Sequence, residues 1–192
     1  MRNLLEFVRF WGYINSMGAS LPPLTVDEFL AWERAEPLKY EFDGIQPVAM
    51  TGGTRAHSRV ATRLTAWLVP ALPTHCEAFG PDLKVLTPGR VRYPDASVVC
   101  ADGDDNSDLI TPTVVFEVLS PSTTLTDRRV KAAEYAGVPT VLAYVMLEPE
   151  HAEITVRRRS TGWAAEMVEG LEASLALPEI GVTIPLAALY RR

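Results

Sequence analysis

Cysteine is nearly absent: two residues in 192, Cys76 and Cys100, are too few for a disulfide framework. Both lie in apolar stretches, so the expectation is that they are reduced, as in a cytoplasmic protein. Histidine is scarce as well, and no His/Cys spacing fits a zinc site. No apolar run reaches the length needed to cross a bilayer, so no membrane association is expected. Internal repeats, low-complexity tracts and linkers are lacking. The first residues, "MRNLLEFVRFWGYINSMGAS", hint at a signal peptide, but Glu6 and Arg9 interrupt any apolar segment. We expect residues 1–23 to be a loosely attached appendage, with a single domain over 24–192. Positive charge is not in excess either. A net charge of −6 argues against a general nucleic-acid coat protein, while leaving room for a local basic groove.

What is present suits one globular core: 47% of residues are hydrophobic and 22% charged. "LTVDEFLAWERAE" predicts a helix with Thr25 and Glu28 at capping-box spacing. "KYEFDGIQPVAM" reads as a hairpin turning at Asp43-Gly44. A helix is expected from Arg55 to about Val69, with Val60, Leu64, Trp67 and Leu68 on one face and Arg55, Arg59 and Arg63 on another. "EAFGPDLKVLT" and "RVRYPDASVVC" read as two strands. "TVVFEVLS", "TLTDRRVKAAEYAG" and "PTVLAYVML" read as strand, helix and strand, a spacing that makes the two strands parallel. "AEITVRRR" and "WAAEMVE" form a closing antiparallel hairpin, and "IPLAALYRR" a short helical turn.

Two carboxylates stand where burial is costly. Asp95 follows Pro94 at the mouth of "ASVV". Glu117 stands among Val114, Val115, Phe116, Val118 and Leu119, where an unpaired charge would cost several kcal/mol, on the order of the effective penalty for a desolvated ion. Strand parity puts Asp95 on one face with Ser97 and Val99, and Glu117 on one face with Leu119. If the strands are neighbours, the two carboxylates converge, and they then need a shared proton or a divalent cation. Hard oxygen ligands favour Mg²⁺ or Mn²⁺.

These residues carry a resemblance. "RYPDASVV" followed by "VVFEVLSPST" resembles the PD-(D/E)XK nuclease superfamily. More closely, "LTVDEFLAWERAEPLKYEFDG", "AMTGGTRAHSRV", "EVLSPST" and "DRRVKAAEYAGVP" are similar to the Uma-two family of restriction-endonuclease-like proteins. The likeness covers nearly everything from residue 24 onward. It implies an α/β (α+β) fold with a restriction-endonuclease-like core, a mixed β-sheet flanked by helices. It also implies an endonuclease that hydrolyses phosphodiester bonds in DNA with Mg²⁺ or Mn²⁺. Asp95 and Glu117 then match the motif acids, with the Val118 carbonyl as a third metal ligand, and Glu41 matches an additional acid. The motif lysine should fall two residues after Glu117, where this chain has Leu119. Lys131 on the following helix fits the lysine of the Uma-two pattern and is assigned that role. "TVLAYVMLEP" departs too, with Leu142 and Glu148 where relatives often have Trp and Asp.

Blander readings stand beside these. Asp95 could pair with Arg92, and Glu117 could be a buried partner of Lys131 without a metal. Arg55, His57 and Arg59 are candidates to contact nucleic acid, against a merely solvated helix face. "RRR" at 157–159 reads as a charged hairpin edge. The alternative function is a catalytically inactive member of the same fold that binds nucleic acid or protein. Cleavage of both strands of a duplex suits a homodimer.

Overall fold

The computed structural model describes residues 24–50, 52–120 and 125–191. The expected appendage at 1–23 lies outside these, as do the last residues of "EVLSPST". The structure divides between Met50 and Thr51 into two compact units.

The first unit closes on its own aromatic cluster. Helix α1 (Val26–Glu33) starts at Thr25, whose side chain accepts the Glu28 backbone N–H while the Glu28 carboxylate takes the Thr25 N–H. Those bonds to Thr25 hold the Glu28 carboxyl below its usual range. Strands β1 (Tyr40–Phe42) and β2 (Pro47–Ala49) pair antiparallel. In the turn, Asp43 Oδ1 accepts the N–H groups of Ile45 and Gln46, and Gly44 takes the positive φ of 92° that this turn requires. The buried Phe29 stacks on Phe42 at 5.1 Å, and Trp32 meets Tyr40 edge-on at 4.8 Å.

The second unit is built on a six-stranded mixed sheet, in the order β11-β10-β9-β8-β6-β3. Its central strands are β6 (Ala96–Val99), β8 (Val114–Val118) and β9 (Ala143–Leu147). The last two are parallel and joined by helix α3 (Leu125–Ala136), as the strand–helix–strand spacing predicts. Alternation along β8 sorts its side chains. Val114, Phe116 and Val118 pack with Val60, Leu64 and Leu68 of helix α2 (Arg55–Ala71). Val115 and Leu119 pack with Ala132 and Tyr135 of α3 and with Tyr144 and Met146 of β9. The helices therefore cover opposite faces of β8. Strand β10 (Glu153–Arg158) and β11 (Ala165–Glu169) form the expected antiparallel hairpin and extend the sheet.

Two segments that read as single strands are each broken between sheets. "EAFGPDLKVLT" becomes β3 (Glu77–Phe79) and β4 (Lys84–Thr87), separated at Gly80-Pro81. "RVRYPDASVVC" becomes β5 (Arg90–Arg92) and β6, separated at Tyr93-Pro94-Asp95. Strands β3 and β6 join the six-stranded sheet, whereas β4 and β5 pair with each other and β4 takes β7 (Leu109–Ile110) in parallel. Proline supplies no ladder N–H, so the chain leaves one sheet and enters the next at Pro81 and Pro94.

The cysteine reading is overturned. Register between β3 and β6 pairs Glu77 with Val99, so Cys76 and Cys100 lie opposite each other just beyond. They form a disulfide with their Cα atoms 4.0 Å apart. Strands 24 positions apart become neighbours only through the sheet order, which local sequence does not encode.

The arginine run is not a bare charged edge. Arg157 donates to the Trp163 carbonyl, and Arg158 pairs with Glu166 and Glu179. Arg159 donates to the carbonyls of Ala136, Val138 and Val141, tying the hairpin turn to the end of α3. A second hairpin that the sequence reading missed, β12 (Ser174–Leu177) with β13 (Val182–Pro185), precedes helix α4 (Leu186–Tyr190).

Candidate active site

The site forms where β8 ends and β6 begins. Ala96 pairs with Phe116 and Ser97 with Val115, so the same antiparallel register carries Asp95 opposite Glu117. The break at Pro94 leaves Asp95 outside the ladder, at the rim of the sheet, while Glu117 remains inside it. This explains their different burial: the Glu117 side chain is 11% exposed, the Asp95 side chain 18%.

Each carboxylate has one oxygen that takes two contacts. Asp95 Oδ2 accepts the Val118 backbone N–H at 2.7 Å and lies 3.2 Å from His57 Nε2. Glu117 Oε1 accepts Lys131 Nζ at 3.1 Å and the Tyr135 hydroxyl at 2.9 Å. Lys131 and Tyr135 are four apart on α3 and so share a face above β8. His57 arrives from the other side, at the start of α2. The hydrogen bond to Asp95 pushes the His57 imidazole above its ordinary pKa. Burial opposes this, while the charges of Asp95 and Glu117 and a hydrogen bond to the Val118 backbone add to it.

The structure thus gathers Asp95, Glu117, Val118, Lys131 and His57. Leu119 projects on the Glu117 face, as parity requires, and is packed against α3. Glu41 lies in the first unit, in the middle of β1 opposite Val48. Arg55, Ala56, Arg59, Arg63 and Glu150 line an open groove of about 550 Å³ along α2. Arg63 is occupied there, donating to the carbonyls of Leu189 and Arg191. Arg92, offered as a partner for Asp95, instead clasps Glu134 through Nε at 2.7 Å and Nη2 at 2.9 Å.

Tyr135 is the residue that sequence reasoning passed over, though it stands in the quoted "DRRVKAAEYAGVP". Its spacing from Lys131 was the available signal. Asp95, Glu117 and the Val118 carbonyl offer hard oxygens of the kind Mg²⁺ or Mn²⁺ takes, and could hold such an ion. Among the described residues, the one trio of His, Cys, Asp or Glu whose ligand atoms all lie within 4.8 Å is His75, Cys76 and Cys100. Both sulfurs there are spent in the disulfide. The donor chemistry at the carboxylates fits a small hard cation, and the protein atoms that would hold it are two side chains and one carbonyl. An ammonium beside them can offset charge on a bound phosphate.

Comparison with known proteins bears on the family and the fold. The family model Uma2, described as "Putative restriction endonuclease", matches residues 26–187. The uncharacterised protein slr1290 of Synechocystis sp. (strain ATCC 27184 / PCC 6803 / Kazusa) is 33% identical over 186 residues, which cover 92% of this chain and 96% of the relative. A solved structure from Anabaena variabilis ATCC 29413, described as "a putative nuclease belonging to DUF820", superposes with a TM-score of 0.70 at 18% identity. That superposition covers 87% of this chain and 97% of the other, and it shows the shared fold.

Proposed function

The chain belongs to the Uma2 family and has a nuclease-like fold, and from that premise we propose that it is a metal-dependent endonuclease hydrolysing phosphodiester bonds in DNA. The observation that carries the reading is the hydrogen bond that brings the Asp95 carboxylate to Val118, next to Glu117, with Lys131 Nζ 3.1 Å from Glu117. An acid at a sheet rim beside a second within the sheet, with a lysine at the second, makes a poor stabilising device and a good phosphate-processing one. Asp95, Glu117 and the Val118 carbonyl would hold Mg²⁺ or Mn²⁺. When bound, such an ion polarises a phosphate and lowers the pKa of a coordinated water. Lys131 offsets negative charge on the phosphate and orients the attacking water, from the position a strand lysine would occupy. Tyr135 keeps Glu117 in place by donating to the same oxygen as Lys131. Arg55 and Arg59, lining the groove along the helix that carries His57, supply contacts to the substrate backbone. Glu41 keeps the accessory role that its family position implies. A homodimer would deliver two such sites to a duplex.

The other reading is an inactive member of the fold in which Glu117 and Lys131 form a structural ion pair; that 3.1 Å pair and the net charge of −6 are what favour it. Cleavage assays decide between them. Supercoiled and linear duplex DNA, single-stranded DNA and RNA are incubated with Mg²⁺, Mn²⁺ or chelator, using wild type, Asp95→Asn and Glu117→Gln. We expect metal-dependent cleavage of DNA by wild type alone. A folded wild type that cleaves no substrate with either metal overturns the nuclease reading. Light scattering at micromolar concentration checks the dimer, and a monomer refutes it.

A further inference from the structure

Asp95 sits at a strand mouth directly after a proline break, a place where a side chain is ordinarily loosely held. Yet two donors converge on its Oδ2. One is fixed by the sheet: the Val118 N–H at 2.7 Å. The other, His57 Nε2 at 3.2 Å, depends on how the imidazole ring is seated.

That seat is built locally. Thr54 caps α2, and its hydroxyl oxygen accepts the His57 backbone N–H at 3.2 Å, which sets where the His57 side chain leaves the helix. The ring then lies against Gly53. A Cβ added to Gly53 would stand 2.8 Å from His57 Nδ1, 3.0 Å from Cγ and 3.3 Å from Cβ. The first of these is closer than non-bonded carbon contacts allow. At the neighbouring Gly52, an added Cβ would meet nothing within 4 Å. Neither glycine has a positive φ, so the backbone at both positions accepts alanine. Gly53 is therefore glycine for the space it leaves, and the space is filled by one ring.

We propose that His57, seated by Gly53, is a positioning residue that holds the Asp95 carboxylate in the orientation in which it and Glu117 bind a divalent cation. This rests on the reading of Asp95 as a metal ligand. With both donors on one oxygen, rotation of the carboxylate is blocked and its other oxygen is presented in a set direction. The second donor comes from α2, on the sheet face opposite Lys131 and Tyr135, so the two helices each fix one of the two acids. Partners that orient a metal ligand typically change metal affinity by about 10–100-fold when removed. Displacing the ring by even a few tenths of an ångström stretches a 3.2 Å contact toward the limit of hydrogen bonding.

The test is a matched pair of substitutions read by Mg²⁺ calorimetry, with folding checked by thermal melting. Gly53→Ala and His57→Ala should each weaken Mg²⁺ binding by about tenfold. Gly52→Ala should bind as wild type does. His57→Gln, whose side-chain amide can still donate, should recover part of the affinity. A readout without metal accompanies this: the ¹⁵N correlation of the His57 ring should move in Gly53→Ala and in Asp95→Asn, and stay in place in Gly52→Ala. If wild type binds Mg²⁺ and folded Gly53→Ala binds it equally tightly, the proposal is overturned and the nuclease reading stands. An unmoved ring signal in Gly53→Ala overturns the proposal as well. If wild type has no affinity for Mg²⁺ or Mn²⁺, the metal reading falls and takes the proposal with it.

Discussion

Two buried glutamates meet helix α3, and they are held in different ways. Glu134, on the helix, and Glu117, on β8, are about equally buried, at 7% and 9% exposure. Glu134 is gripped by two guanidiniums, from Arg92 at 2.7 and 2.9 Å and from Arg90 at 2.5 Å. Burial pushes its carboxyl up, but the hydrogen bonds and charges of Arg92 and Arg90 more than offset this and hold it below the usual range. Glu117 Oε1 accepts from one ammonium and one neutral hydroxyl, and the Asp95 carboxylate takes the backbone N–H of the next residue, Val118. Equal burial thus conceals two roles. Planar forks on both oxygens lock a carboxylate into the fold. The ammonium and hydroxyl on Glu117 Oε1 make no such fork.

The sharpest way to break this contrast is to remove each carboxylate in turn. Glu134→Ala removes one half of a buried ion pair with Arg92 and should cost about 3–5 kcal/mol in thermal or urea unfolding. Replacing the partners together, as Arg92→Met with Glu134→Leu, should restore most of that loss, because apolar side chains of similar size fill the space. A Glu134→Ala protein that melts like wild type would erase the distinction.

Glu117→Gln should do the reverse. Its amide oxygen still accepts from Tyr135 and Lys131, so metal-free stability should change by no more than about 1 kcal/mol. The rise in melting temperature caused by Mg²⁺ should disappear, since a ligand stabilises only through the state it binds. A Mg²⁺-induced rise that survives in Glu117→Gln would remove this residue from the metal site.

The smallest effect is one of pH. A carboxyl whose folded pKa is depressed contributes stability above its unfolded pKa and loses it as pH falls through the folded value. The melting difference between wild type and Glu134→Ala should therefore be full above the ordinary carboxylate value of 4.5 and close progressively as pH drops below it. A gap that stays constant through the acid range would show that Glu134 stabilises by packing alone.

Much of this contrast was legible in the chain, because it depends on short-range rules. Parity in "TVVFEVLS" placed Glu117 with Leu119. The four-residue helical repeat brings Tyr135 beside Lys131, although the sequence reading gave Tyr135 no role. The strand–helix–strand spacing required β8 and β9 to be parallel. Other features were hidden because they depend on which distant segments become neighbours. Arg92 could have served Asp95 or Glu134. The turn at Pro94 decides the matter by sending β5 and β6 into different sheets. For the same reason the Cys76–Cys100 disulfide escaped detection, since it needs β3 to lie against β6.

By itself the sequence determined the helices and the buried strands, set by periodicities of two and 3.6 residues along one chain, and it showed two acids where burial is costly; the resemblance to a family pointed to Lys131. Tertiary structure alone decided that Asp95 faces Glu117, that His57 comes from the opposite face to hold Asp95, and that Gly53 leaves room for its ring. These follow from sheet order and register, where a shift of one residue sends every side chain to the other face.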